Sequence, residues 1–210
     1  MLKRTTAAKS PLPSVRTRRA YFDCRYGQLH VRTAFPTTGG FDEHVTLICL
    51  HPGNASSRVF ARFLPAIAVD RSAYAPDLPG RGESDPAPSM GPAESAGSVA
   101  DLAADLRLRQ IDLLGFEEGC AAAVELALAK PELVRRLCLV AGPVTERAAQ
   151  VQQPCLVIRT GAQAAEAKSA AKGLPREAVV IDAPEYAADL FDAAPQTLAQ
   201  QVASFLNRKS

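Results

Sequence analysis

Two adjacent carboxylates, Glu117 and Glu118, stand between a short apolar run and an alanine-rich stretch, the setting of a strand-to-helix turn. There a carboxylate can take a proton as general base, give one as general acid, or attack as a nucleophile. A helix N-terminus also favours anions, by about 0.3–1 kcal/mol at exposed sites, so the pair has a purely stabilising reading as well. His51 closes another apolar run, Leu50-His51-Pro52-Gly53-Asn54, and is the last of three histidines, after His30 and His44. It could exchange a proton at the same site or only hydrogen-bond the loop around it. Asp77, Arg81 and Ser84 share a glycine-rich turn, where the aspartate is expected to bind the loop's own amides. Cys120 has no histidine nearby to activate it and reads as a small core residue. No spacing motif brings Glu117, Glu118, His51 and Asp77 together on a metal, and neither metal nor cofactor is expected.

The elements that must position these groups alternate between strand-like and helix-like runs, which points to a mostly parallel sheet with helices on both faces. Ala20–Cys24 and Gln28–Thr33 flank a turn at Tyr26-Gly27 and read as an antiparallel hairpin at one edge. Val45–Leu50, Ser72–Pro76, Ile111–Leu114, Leu137–Val140, Cys155–Arg159 and Val179–Ile181 read as further strands. The spacing predicts a helix of about thirteen residues from Ser57, and others over Ser98–Leu108, Glu118–Lys130 and Pro195–Asn207. The stretch Pro86–Gly97, rich in Pro, Ser, Ala and Gly, reads as a loop.

In this frame the chain resembles the α/β-hydrolase family from about Tyr21 to Leu206. The segment Leu50-His51-Pro52-Gly53-Asn54 is similar to the family's His-Gly oxyanion loop. The segment Asp77-Leu78-Pro79-Gly80-Arg81-Gly82-Glu83-Ser84 matches its D-x-x-G-x-G-x-S loop, the most specific of the matches. Gly115-Phe116-Glu117-Glu118-Gly119 sits where the G-x-S-x-G nucleophile elbow belongs, and the helix opened by Pro195 resembles the terminal helix. The resemblance implies an α/β-hydrolase fold of about eight strands. It also implies pocket residues His51, Gly53, Asn54 and Glu118, with the amides of Gly53 and Glu118 as the oxyanion donors.

The family's triad runs Ser, Asp or Glu, His in chain order, and this chain departs from it at each place. Glu117 replaces the serine, and no histidine lies beyond position 51. The place of the acid reads Ala162-Gln163-Ala164, and the place of the histidine falls at Ala188. Glutamate at the elbow resembles the aspartate nucleophile of family dehalogenases but is one methylene longer. The expected function is therefore a non-catalytic small-molecule-binding, regulatory or assembly protein. The alternative is an unconventional hydrolase or lyase acting on a small ester or carbonyl compound, with Glu117 as general base or Glu118 as an acid. The eleven residues between Gly142 and Pro154 are too few for a lid, so the site is expected to be shallow and open.

Composition sets the outer bounds. A chain of 210 residues, 47% hydrophobic and 22% charged, can build one substantial core. A formal net charge of +2, no tryptophan and few aromatics give no reason to expect a nucleic-acid or membrane partner. A small-molecule ligand and homo- or hetero-oligomers remain compatible with it. Five cysteines, most of them in apolar runs, suit a reducing compartment, and cytoplasmic location is the expectation. Residues 1–19, with six basic side chains and no acid, are expected to form a flexible arm before a single domain over 20–210.

Overall fold

The computed structural model describes residues 15–37, 44–143, 145–161, 164, 173–175, 177–185 and 190–208. Eight strands form one sheet: β1 (Val15–Cys24), β2 (Gly27–Pro36), β3 (Leu47–Leu50), β4 (Ala73–Pro76), β5 (Ile111–Phe116), β6 (Val134–Val140), β7 (Cys155–Thr160) and β8 (Ala178–Ala183). Their spatial order is β1-β2-β4-β3-β5-β6-β7-β8. The β1–β2 hairpin is antiparallel and meets β4 antiparallel, and every other pairing is parallel. This is the α/β-hydrolase fold, and no lid stands among the described residues between β6 and β7, where Ala148–Gln150 makes a single 3₁₀ turn.

Strands buried on both faces feed two cores by simple alternation. Leu113 of β5 packs with Val99, Leu102, Ala122 and Leu126 of helices α2 (Pro92–Asp105) and α3 (Gly119–Ala129). Its neighbour Leu114 points the other way, to Phe63 of α1 (Phe63–Ile67), Phe191 of α4 (Leu190–Ala193) and Leu198, Val202 and Phe205 of α5 (Pro195–Leu206). Cys49, Cys138 and Cys155 are core residues, as their apolar surroundings suggested.

Several expected elements change their bounds for physical reasons. The single helix from Ser57 is broken into a 3₁₀ turn, Ser57–Phe60, and α1. Pro65 thereby falls in the first turn of a new helix, where a missing N–H leaves no bond unmade. Helix α2 begins at Pro92 rather than Ser98, because proline suits the first helical position and Gly91 is its extended N-cap. The hairpin reaches back to Val15, so residues 15–19 are strand and not arm. They pair with β2 in order, from Val15 opposite Pro36 to Arg19 opposite Arg32. Residues 1–14 and Ala188 lie outside the described residues, so the arm before β1 and the triad-histidine position are not placed.

Candidate functional site

The turn after β5 keeps the backbone of a nucleophile elbow without its hydroxyl. Glu117 takes a left-handed φ of 48°, and its N–H donates to Val140 O at 2.9 Å. The flanking glycines are needed for contact: a Cβ on Gly115 would come within 2.5 Å of the Cys120 Cα, and one on Gly119 within 2.2 Å of Leu50 O. The elbow is therefore sharp and tightly seated, which holds residue 117 at its apex. Burial, and then the neighbouring charge of Glu118, push the Glu117 carboxyl above the usual glutamate range. That direction runs against the reading of Glu117 as an anion favoured by the helix terminus.

Glu118, one step further on, is the carboxylate that faces the site. A cleft of about 340 Å³ lies between the β3 and β4 loops and helices α2 and α3. It is lined by Leu78, Met90, Pro92, Ala121 and Pro143 with Arg81 and Glu118 as its charged groups; Glu117 and Asn54 are not among its lining residues. The cleft is open to solvent on one side, and Met90 and Gly91, in the middle of the expected loop, with Pro92 at the start of α2 make one wall. The Gly53 N–H, an expected oxyanion donor, already donates to Glu118 Oε2 at 3.3 Å. A carboxylate placed there repels the anion that such a donor would receive.

His51 is fully buried and both ring nitrogens are used. Nε2 accepts from Leu78 N–H at 2.8 Å, which leaves the ring proton on Nδ1, donated to Pro52 O at 2.6 Å. Burial holds its pKa below the ordinary histidine value, so the ring stays neutral and ties the β3 loop to the β4 loop.

Asp77 organises the glycine-rich turn. Its carboxylate accepts from Ser57 N–H at 2.6 Å and Glu83 N–H at 3.0 Å and pairs with His30 Nδ1 at 2.9 Å, while the Ser84 hydroxyl donates to its carbonyl at 2.7 Å. Burial alone would raise its pKa, and these hydrogen bonds outweigh burial and lower it. Gly82, at φ 53°, lies so close that a Cβ would fall 1.9 Å from Asp77 Oδ2. Cys120 donates its thiol to Gly115 O at 3.2 Å, and burial pushes its pKa far up, so it is a packed thiol and no nucleophile. Sequence reasoning missed His30 and Ser57 as partners of Asp77, since no local spacing links positions so far apart. It also missed Ala121 in the cleft wall, where the small residues opening α3 were an available signal.

The profile of the "Alpha/beta hydrolase family" matches residues 47–209. No curated protein matches the chain. Among solved structures, carboxylesterase CesB from Bacillus subtilis superposes with a TM-score of 0.79 at 19% identity, covering 93% of each chain. A predicted CIB-like hydrolase from Thermoplasma acidophilum gives 0.77 at 15% identity, over 91% of this chain and 98% of its own. The enol-lactonase from Burkholderia xenovorans gives 0.77 at 14%, over 90% of this chain and 100% of its own. At such identities the likeness is one of fold.

Proposed function

The chain belongs to the alpha/beta hydrolase family, and on that premise we propose that it is a member that binds a small molecule in the family's cleft without triad hydrolysis. The observation that carries this reading is the Glu118 carboxylate on the Gly53 N–H, in the place where a reacting ester would develop its negative charge. Serine is absent from position 117, and all three histidines precede the elbow, the one nearest the cleft being locked by two loop contacts. The walls are mostly apolar, with a carboxylate and a guanidinium as polar handles, so the fitting ligand has an apolar body, a hydrogen-bond donor for Glu118 and an acceptor for Arg81. A small aromatic amide has that pattern, whereas the matching ester lacks the donor.

The test combines fluorophosphonate labelling with a screen of small esters and lactones. Neither labelling nor turnover is expected in the wild type. Glu117→Ser should stay within tenfold of the wild-type background, because a serine alone has no base to activate it. Stoichiometric labelling of the wild type overturns the reading.

One observation favours the second reading, in which Glu117 is a general base: its carboxyl is shifted toward neutral pH. That reading requires turnover of a small ester or carbonyl compound that Glu117→Gln abolishes.

A further inference from the structure

On the hairpin edge of the molecule, far from any role in the cleft, a groove of about 510 Å³ runs between β1, β2 and α1. Thr17, Arg18, Arg19, Arg32, Leu64 and Pro65 are among its lining residues. Arg19 and Arg32 are direct cross-strand partners in the β1–β2 ladder, so their side chains leave the sheet on the same face with Cβ atoms about 5 Å apart. Two like charges so placed repel. No carboxylate pairs with either of them among the described residues; Glu83, whose field reaches Arg19, is held by the Tyr21 hydroxyl at 2.6 Å. The Arg32 Nε–H is shut off from water and has no acceptor.

Arginines on an exposed edge strand commonly serve to block pairing with other chains. Arg32 does not fit that role, because β2 is an interior strand flanked by β1 and β4. The Arg32 Nε–H is closed to any ligand, and the terminal nitrogens of the same guanidinium, which are not sealed off, are the donors that Arg32 presents to the groove. We propose that this groove is a binding site for a phosphate group, as inorganic phosphate or a small phosphate monoester. Such a dianion offers oxygens to the Arg32 fork and to Arg19 at once, removes their mutual repulsion, and lies within reach of the Thr17 hydroxyl.

The test is thermal melting and calorimetric titration of the whole chain with inorganic phosphate, against sodium chloride at matched ionic strength. The wild-type melting temperature should rise with phosphate and saturate, with one site per chain. Arg32→Gln should weaken phosphate binding at least tenfold while melting no lower than wild type in phosphate-free buffer, since it removes an unsatisfied group. Arg32→Lys, which keeps the charge and loses the fork, should weaken it to a similar extent. Arg19→Gln should weaken it severalfold and serves if Arg32→Gln fails to fold. Arg62→Gln, at an exposed arginine paired with Asp192 beyond the groove, should stay within twofold of wild type. An equal rise in sodium chloride, an undiminished response in Arg32→Gln, or binding to phosphatidic acid vesicles with none to inorganic phosphate would overturn the proposal.

Discussion

At Glu117 the backbone and the side chain both work against stability. A left-handed φ costs a residue bearing a Cβ about 1–2 kcal/mol, and the carboxylate is partly desolvated beside a second negative charge. Glu117→Gly should therefore raise the unfolding free energy at neutral pH by about 0.5–1 kcal/mol, after the entropic cost of glycine in the unfolded chain. Urea denaturation checks this, and a loss of that size would mean that the side chain makes a stabilising contact. The pH dependence has a definite sign. Because folding raises this carboxyl's pKa, the native state binds its proton more tightly, and stability is lost as pH rises from the ordinary glutamate value, about 4.3, through the raised one. Glu117→Gln should remove that part of the profile, and an unchanged profile would contradict the assignment. The sequence made Glu117 conspicuous by its place between a strand and a helix. It could not tell which of two adjacent carboxylates faces the cleft, because that depends on the rotation of a turn whose φ no local pattern encodes.

The loops after β3 and β4 form one unit, joined by His51 to Leu78 and by Asp77 to Ser57 and His30. Asp77→Asn should cost about 2–4 kcal/mol at pH 7, since it weakens several charge-assisted bonds to buried donors. The Asp77 pKa is lowered on folding, so its stabilising share is present above the unfolded value, about 3.9, and disappears as pH falls through the folded one. The gap between wild type and Asp77→Asn should accordingly close in strong acid. A gap that persists there would assign the loss to packing instead. The turn itself was legible as Asp77 with Gly80, Gly82 and Ser84, because short-range spacing defines it. Its anchors were not, since His30 arrives from another strand. Helix bounds failed where proline has two meanings: Pro65 and Pro92 both open helices, and composition alone cast the first as helix interior and the second as loop.

Across the molecule, the alternation of strand-like and helix-like runs was enough to read the sheet with helices on both faces, because burial on both faces leaves unbroken apolar runs such as Leu47–Leu50 and Leu137–Val140. What alternation hid is a polar network at the end of the sheet where β5 begins. Asp112, fully buried, accepts from Arg135 Nε at 2.9 Å and lies 3.9 Å from the buried Arg71, which bonds Asn207 just after α5. Arg136 donates to the carbonyls of Phe205 and Leu206. The network ties the terminal helix to the sheet, and Asp112→Ala, which removes the Arg135 partner and leaves the buried Arg71 with Asp70 as its carboxylate, should cost about 1–3 kcal/mol in urea denaturation. A loss under about 1 kcal/mol would show the network to be dispensable. The account as a whole rests on the cleft binding a donor-bearing ligand that it does not hydrolyse. The most direct measurement is calorimetric titration of phenylacetamide and methyl phenylacetate into wild type and Glu118→Ala, with the ester followed for turnover. The account predicts saturable one-to-one binding of the amide, at least tenfold weaker binding of the ester, no turnover, and loss of the amide preference in Glu118→Ala; wild-type turnover of the ester, or an ester bound more tightly than the amide, would contradict it.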